Sequence, residues 1–127
     1  MTPLGVGIDV VDVARVERLL RRSGERALVR LLTARERAYC VAQPEPAPHV
    51  AARIAAKEAA FKAFQSGGSR SLMSWREIEV RRADHGEPTL LFHNRARLVA
   101  QQLGVCRVLV SLSHSRLQAA AIVLLLS

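Results

Sequence analysis

The stretch LGVGIDVVDVARVERLL, Leu4 to Leu20, decides how the chain begins to fold. Leu4, Val6, Ile8 and Val10 alternate with Gly5, Gly7, Asp9 and Val11, the two-residue period of a half-buried strand. This places the aliphatic residues on one face and both glycines, with Asp9, on the other. Asp12 then stands where a helix N-cap belongs. Val13, Val16 and Leu20 follow as an apolar helical stripe, with Arg15, Arg18 and Arg22 on a different face. Gly24 stops this helix, and a second short one is expected over Glu25 to Leu32.

Working outward, Thr33 and Glu36 have capping-box spacing ahead of a helix that reaches about Val41. Gln43 to Pro48 holds three of the five prolines and reads as a loop. The strongest helix is the alanine-rich segment from about His49 to Gln65, closed by Gly67-Gly68. Ser66 to Ser74 reads as a loop. Trp75 to Arg82 alternates as a strand, Asp84-His85-Gly86-Glu87 turns, and Thr89 to Phe92 returns. Asn94 caps a helix running to Gly104. Val105 to Ser113 and Ala119 to Leu126 form a last hairpin around Ser115-Arg116. The fold class is α+β: an antiparallel sheet with one long central helix, in one domain spanning 1–127.

Composition narrows the function. Lys and Arg number 19 against 11 Asp and Glu, a net charge of +8 in 127 residues. Only Lys57 and Lys62 are lysines. Arginine suits bidentate contact with phosphate or carboxylate, so the excess points to a polyanionic ligand or an acidic protein, or else to an ordinary solvated surface. The longest apolar run, Ala119 to Leu126, has eight residues and is too short to span a bilayer. No secretory signal is visible, and Cys40 and Cys106 lack metal-site spacing, so a cytoplasmic protein with free thiols and no membrane partner is expected. A non-enzymatic, basic nucleic-acid-binding module is the competing class; the chain shows no aromatic stacking platform and no nucleic-acid motif in its favour.

Three places carry possible chemistry. Asp9 lies beside Gly5 and Gly7, which leave room for another group, a ligand or a metal, to approach the backbone closely; the alternative is a strand-end carboxylate bonding loop amides. Glu58 lies within about 60° of Ile54 and Phe61 around its helix. A carboxylate at the edge of an apolar stripe calls for a partner, either Lys62 one turn on or a metal. Ser111-Leu112-Ser113-His114 ends a strand with small donors beside an imidazole, suited to holding a phosphate or to a plain polar turn. Together these give two carboxylates for a hard cation in a basic surround. Magnesium takes such oxygen ligands and bridges them to substrate phosphates. Phosphoryl-type transfer asks the protein chiefly for positioning and charge neutralisation.

GVGIDVVDVARVERL (Gly5–Leu19), RIAAKEAAFKAF (Arg53–Phe64) and VSLSHS (Val110–Ser115) resemble three motifs of the holo-[acyl-carrier-protein] synthases, the small bacterial 4′-phosphopantetheinyl transferases. The Thr33–Glu36 pair, the WREIEV strand and the Gly86–Pro88 turn match in order and spacing. The chain departs from that pattern with Ile54 where Phe is common, with Gln65-Ser66-Gly67-Gly68 where many members read Gly-Thr-Gly, and with a Pro44–Pro48 segment free of basic residues.

The resemblance implies transfer of phosphopantetheine from coenzyme A to a serine of apo acyl carrier protein, releasing adenosine 3′,5′-bisphosphate. It implies Asp9 and Glu58 as magnesium ligands, Lys62 as the group that stabilises charge on the pyrophosphate, and Glu58 as general base. Arg53 and His114 are implied near the 3′-phosphate with Ser113 and Ser115, and Gly86 and Pro88 near the adenine. Arg15 is implied to meet the acidic carrier protein; Arg18, Arg22 and Arg26 extend that patch by charge and spacing. A homotrimer is implied, with active sites between neighbouring subunits.

Overall fold

The computed structural model of the chain describes all of residues 1–127. Strand β1 (Pro3–Asp12) runs into helix α1 (Val13–Leu31), followed by α2 (Ala34–Val41), α3 (Pro46–Ser66) and a 3₁₀ turn at Trp75–Glu77. The hairpin β2 (Ile78–Arg82) and β3 (Pro88–Phe92) comes next, then α4 (Asn94–Leu103) and the hairpin β4 (Arg107–His114) and β5 (Gln118–Leu126). β5 pairs antiparallel with both β1 and β4, while β2 and β3 form a separate two-stranded antiparallel sheet. The α+β class and the antiparallel pairing are those the sequence predicts.

Helix α3 packs on β1 and β5 and is buried almost all round. Ala51, Ala55, Ala56, Ala59, Ala60 and Ala63 are each fully inaccessible. Methyl groups on the helix and glycines on the strand let the two backbones touch. A Cβ on Gly7 would overlap the Ala59 carbonyl oxygen, and one on Gly5 the Ala63 carbonyl oxygen. The space over Gly5 and Gly7 is therefore filled by helix backbone, while Asp9, two residues on, borders an open groove. Ser66 secures the same contact, its Oγ accepting from the Val6 amide at 2.7 Å and donating to the Ala63 carbonyl.

Because the glycine face of β1 is the buried one, its aliphatic face is turned outward, opposite to the expected packing. Val6, Ile8 and Val10 are 51%, 61% and 54% exposed. Across the sheet they align with Leu124, Ile122 and Ala120 of β5 and with Leu109, Ser111 and Ser113 of β4. An apolar three-stranded surface is left uncovered by the chain itself.

Four local expectations change. Asp12 occupies the N-cap position of α1 but makes no capping bond; its carboxylate accepts from Gln118 Nε2 at 3.0 Å. The long helix begins at Pro46, since proline at the first helical position has no amide to satisfy. The strand expected from Trp75 starts at Ile78, after a 3₁₀ turn boxed by Ser74 and Glu77. Asn94 does not cap α4. Glu77 does, its Oε2 accepting from the amides of Arg95 at 2.6 Å and Ala96 at 3.3 Å. Gly24 breaks α1 as expected, with φ +46° and ψ −122°, and the Thr33–Glu36 capping box is formed.

Candidate active site

The contact between Gly7 and Ala59 sets the site, because Asp9 lies two residues past one and Glu58 is the neighbour of the other. Both carboxylates line one groove of about 600 Å³. Arg15, Arg18 and Arg22 of α1 form its basic wall, and Trp75 closes the side toward the 3₁₀ turn. Trp75 is held edge-on to Phe61, with ring centroids 5.4 Å apart.

Lys62, the expected partner of Glu58, bonds elsewhere. Its ammonium donates to Asp9 Oδ1 and to the Ile8 carbonyl oxygen, each at 3.0 Å. Glu58 is left without a directly bonded cation. Burial raises its pKa and the Asp9 charge adds to this, while Lys62 and Arg15 oppose it. A carboxyl held above its ordinary range beside a second carboxylate makes this groove a candidate for proton transfer or for binding a cation. No third acid, imidazole or thiol joins the pair. A hard divalent cation fits two carboxylate oxygens provided that water and substrate phosphates complete its shell, which is how magnesium is commonly held.

The second set of expected residues gathers on the other side of α3. Arg53 is 4% exposed, and its guanidinium lies 4.4 Å from the centre of the Tyr39 ring. It donates to the His49 carbonyl at 3.2 Å, while its Nε–H is buried without an acceptor. His114, at the end of β4, brings its ring within 6.2 Å of His49. Gly86 is tied to this set through its carbonyl, which accepts from Arg82 at 3.0 Å. Pro88 opens β3. Ser113 stands with Ser111 on the outward face of the sheet. The Ser115 hydroxyl is engaged in the β4–β5 turn, accepting from the amides of Leu117 and Gln118 at 3.2 Å. No residue lines both the carboxylate groove and the cavity beside Arg53.

The sequence reading passed over four residues of these surroundings. Lys57 is completely buried and forms an ion pair of 2.8 Å with Glu36. It also donates to the Trp75 and Ile78 carbonyls, which ties α3 to the groove wall. Burial lowers its pKa, and the charge and hydrogen bond of Glu36 pull it back. Tyr39, His49 and Arg82 surround Arg53. The one local signal was the four-residue spacing of His49, Arg53 and Lys57, which aligns them on a single face of α3.

Residues 5–121 match the family model of the 4′-phosphopantetheinyl transferase superfamily. The holo-[acyl-carrier-protein] synthase of Moorella thermoacetica is 46% identical over 121 residues, covering 95% of this chain and 92% of the relative. The crystal structure of the Neisseria meningitidis synthase superposes with a TM-score of 0.87 at 26% identity, covering 99% of this chain and all of that one. The Bacillus anthracis synthase in complex with coenzyme A (3′,5′-ADP) superposes with a TM-score of 0.76 at 29% identity, over 98% and 97% of the two chains. The full-length match, in sequence and in fold alike, makes this chain a member of the 4′-phosphopantetheinyl transferase superfamily.

Proposed function

We propose that the protein, as one transferase domain over residues 1–127, moves the 4′-phosphopantetheine group of coenzyme A onto a serine hydroxyl of an apo acyl carrier protein, releasing adenosine 3′,5′-bisphosphate. The observation that carries this reading is the shared groove of Asp9 and Glu58 with Lys62 at its edge and arginines along its wall. Asp9 and Glu58 would hold Mg²⁺, which would supply charge neutralisation to the pyrophosphate. Glu58, which Lys62 leaves free by bonding Asp9 and the Ile8 carbonyl, takes the proton of the incoming serine. The serine oxygen bonds to the β-phosphorus as the bond to the bridging oxygen breaks, and Lys62 meets the charge left on the departing phosphate. Arg53 and His114 grip the 3′-phosphate with Ser113 and Ser115 close by, and Gly86 and Pro88 flank the adenine.

The acidic carrier docks on α1. Arg15, Arg18 and Arg22 all face the groove, so a carrier held there presents its serine beside Glu58. The active unit is a homotrimer. Two observations support it: the exposed aliphatic face of β1, β5 and β4, and the separation of the carboxylate groove from the Arg53–His114 cluster within one chain. A coenzyme bridging two subunits uses one cluster from each. The two unpaired cysteines suit a reducing, cytoplasmic setting, and no helix is long and apolar enough to cross a membrane.

The test is direct. Purified protein is incubated with coenzyme A, magnesium and apo carrier, and the carrier is weighed by mass spectrometry. The expected result is the mass gain of one phosphopantetheine, lost in Glu58→Gln. Full modification by Glu58→Gln, or none by the unaltered protein, overturns the reading.

A further inference from the structure

Lys62 occupies a position in the groove that contact with a pyrophosphate does not account for. Its ammonium rests on Asp9 Oδ1 and on the Ile8 carbonyl oxygen, 3.0 Å from each. Asp9 is one of the two acids that suit a divalent cation, so the free chain already keeps a cation of its own on half of that site. The other half, Glu58, is paired with no basic side chain.

Two cations compete for one carboxylate. Magnesium takes a carboxylate oxygen at about 2.0–2.1 Å, so an ammonium kept 3.0 Å from Asp9 Oδ1 lies at most about 5 Å from an ion on that oxygen. Repulsion at that range is strong unless an anion lies between them. Without such an anion, one of the two must leave. Lys62 is the one free to go: its side chain is 50% exposed, whereas that of Asp9 is 17% exposed on a strand packed against α3. The contact it gives up is a solvent-facing ion pair of small worth. Glu58 lies four residues earlier on α3, so the released ammonium stays at the edge of the same groove, where an incoming phosphate offers it a new partner.

We propose that Lys62 is a placeholder cation in the free chain: bound to Asp9, it keeps divalent ions off the carboxylate pair until a phosphate ligand takes up its ammonium. In the exchange one ammonium–carboxylate contact is lost, and an ion–carboxylate and an ammonium–phosphate contact are gained. Ion and phosphate ligand then improve each other's binding by the same factor. This inference rests on the transferase reading for the identity of both ligands.

Manganese, a paramagnetic divalent ion that takes the same oxygen ligands, tests it on the full chain without coenzyme. In titrations followed by electron paramagnetic resonance, Lys62→Met is expected to bind Mn²⁺ about tenfold more tightly than the unaltered protein. Lys62→Arg, which keeps a cation there, stays within about threefold of the parent, and Asp9→Asn added to Lys62→Met abolishes the gain. A second readout needs no variant, because Lys57 is fully buried and Lys62 is the only other lysine. Acylation of Lys62 by an amine-directed reagent, located by peptide mass mapping, should speed up severalfold on saturation with Mn²⁺ and slow again when coenzyme A is added. Equal Mn²⁺ affinity in the parent and Lys62→Met, or a labelling rate that Mn²⁺ leaves unchanged, overturns the proposal. If the unaltered protein fails to modify any carrier, the transferase reading falls, while the Mn²⁺ titrations still decide whether Lys62 guards the carboxylate pair.

Discussion

Lys62 is bonded to Asp9 through an ammonium that also holds the Ile8 carbonyl, both at 3.0 Å. A cation already rests on one of the two groove carboxylates, and it reaches from a side chain that is itself 50% exposed. The pair is free to part. In solvent it contributes less than about 1 kcal/mol to stability.

Replacing Lys62 with Met therefore separates chemistry from folding. The variant is expected to melt within about 1 kcal/mol of the parent and to lose roughly 10²–10³ in kcat for carrier modification. Thermal melting and steady-state rates measure the two effects. A loss of rate accompanied by a proportionate loss of stability would assign Lys62 a structural role instead.

Glu58 predicts the pH response. Burial and the Asp9 charge raise its pKa, so the folded chain holds this proton more tightly than the unfolded chain does. Between the ordinary glutamate value and the raised one, stability must fall as pH rises, and it levels off once both states are ionised. Glu58→Gln should remove that slope, as seen in melting temperatures across pH 4 to about 7.

The fully buried Lys57–Glu36 pair makes a prediction about stability alone. Lys57→Met strands the Glu36 carboxylate in the core and should cost about 3–5 kcal/mol. Adding Glu36→Gln should return a large part of that loss, because the stranded charge goes with it. Denaturant titrations of the single and double variants provide the comparison, and a double variant weaker than Lys57→Met would contradict it.

The outward aliphatic face of β1 gives a prediction about assembly. Ile8→Lys places a charge at its centre and should shift the proposed trimer to monomer in sedimentation velocity, with the circular dichroism spectrum unchanged. If active sites lie between subunits, co-expressed Glu58→Gln and His114→Ala chains should regain activity that neither has alone. Lack of recovery in verified mixed trimers would place both clusters' work in one subunit.

Much of this was legible in the sequence for physical reasons. Period and punctuation located the strands, the Gly24 break and the Thr33–Glu36 box. Glu58 stood out as a carboxylate at the edge of an apolar stripe, and Asp9 as one on a strand face shared with two glycines. Periodicity shows which residues share a face, however, and not which face is covered, so β1 was read inside out. The deciding information lay in the alanines of α3, more than 40 positions away. Lys57 on an alanine helix looks solvent-exposed until Glu36 arrives from α2. The cluster around Tyr39 draws on α2, α3, β2 and β4, and only the His49–Arg53 spacing left any local trace.

The meeting of Gly7 with the Ala59 carbonyl has a consequence for how the site tolerates change. No side chain intervenes at that crossing, so no rotamer there can lengthen or shorten the distance between the backbones that carry the two acids. Drift among the valines and leucines elsewhere in the interior passes the pair by. The spacing of the two backbones that carry these acids is written in peptide units, and a single added methyl at residue 7 is enough to reset it.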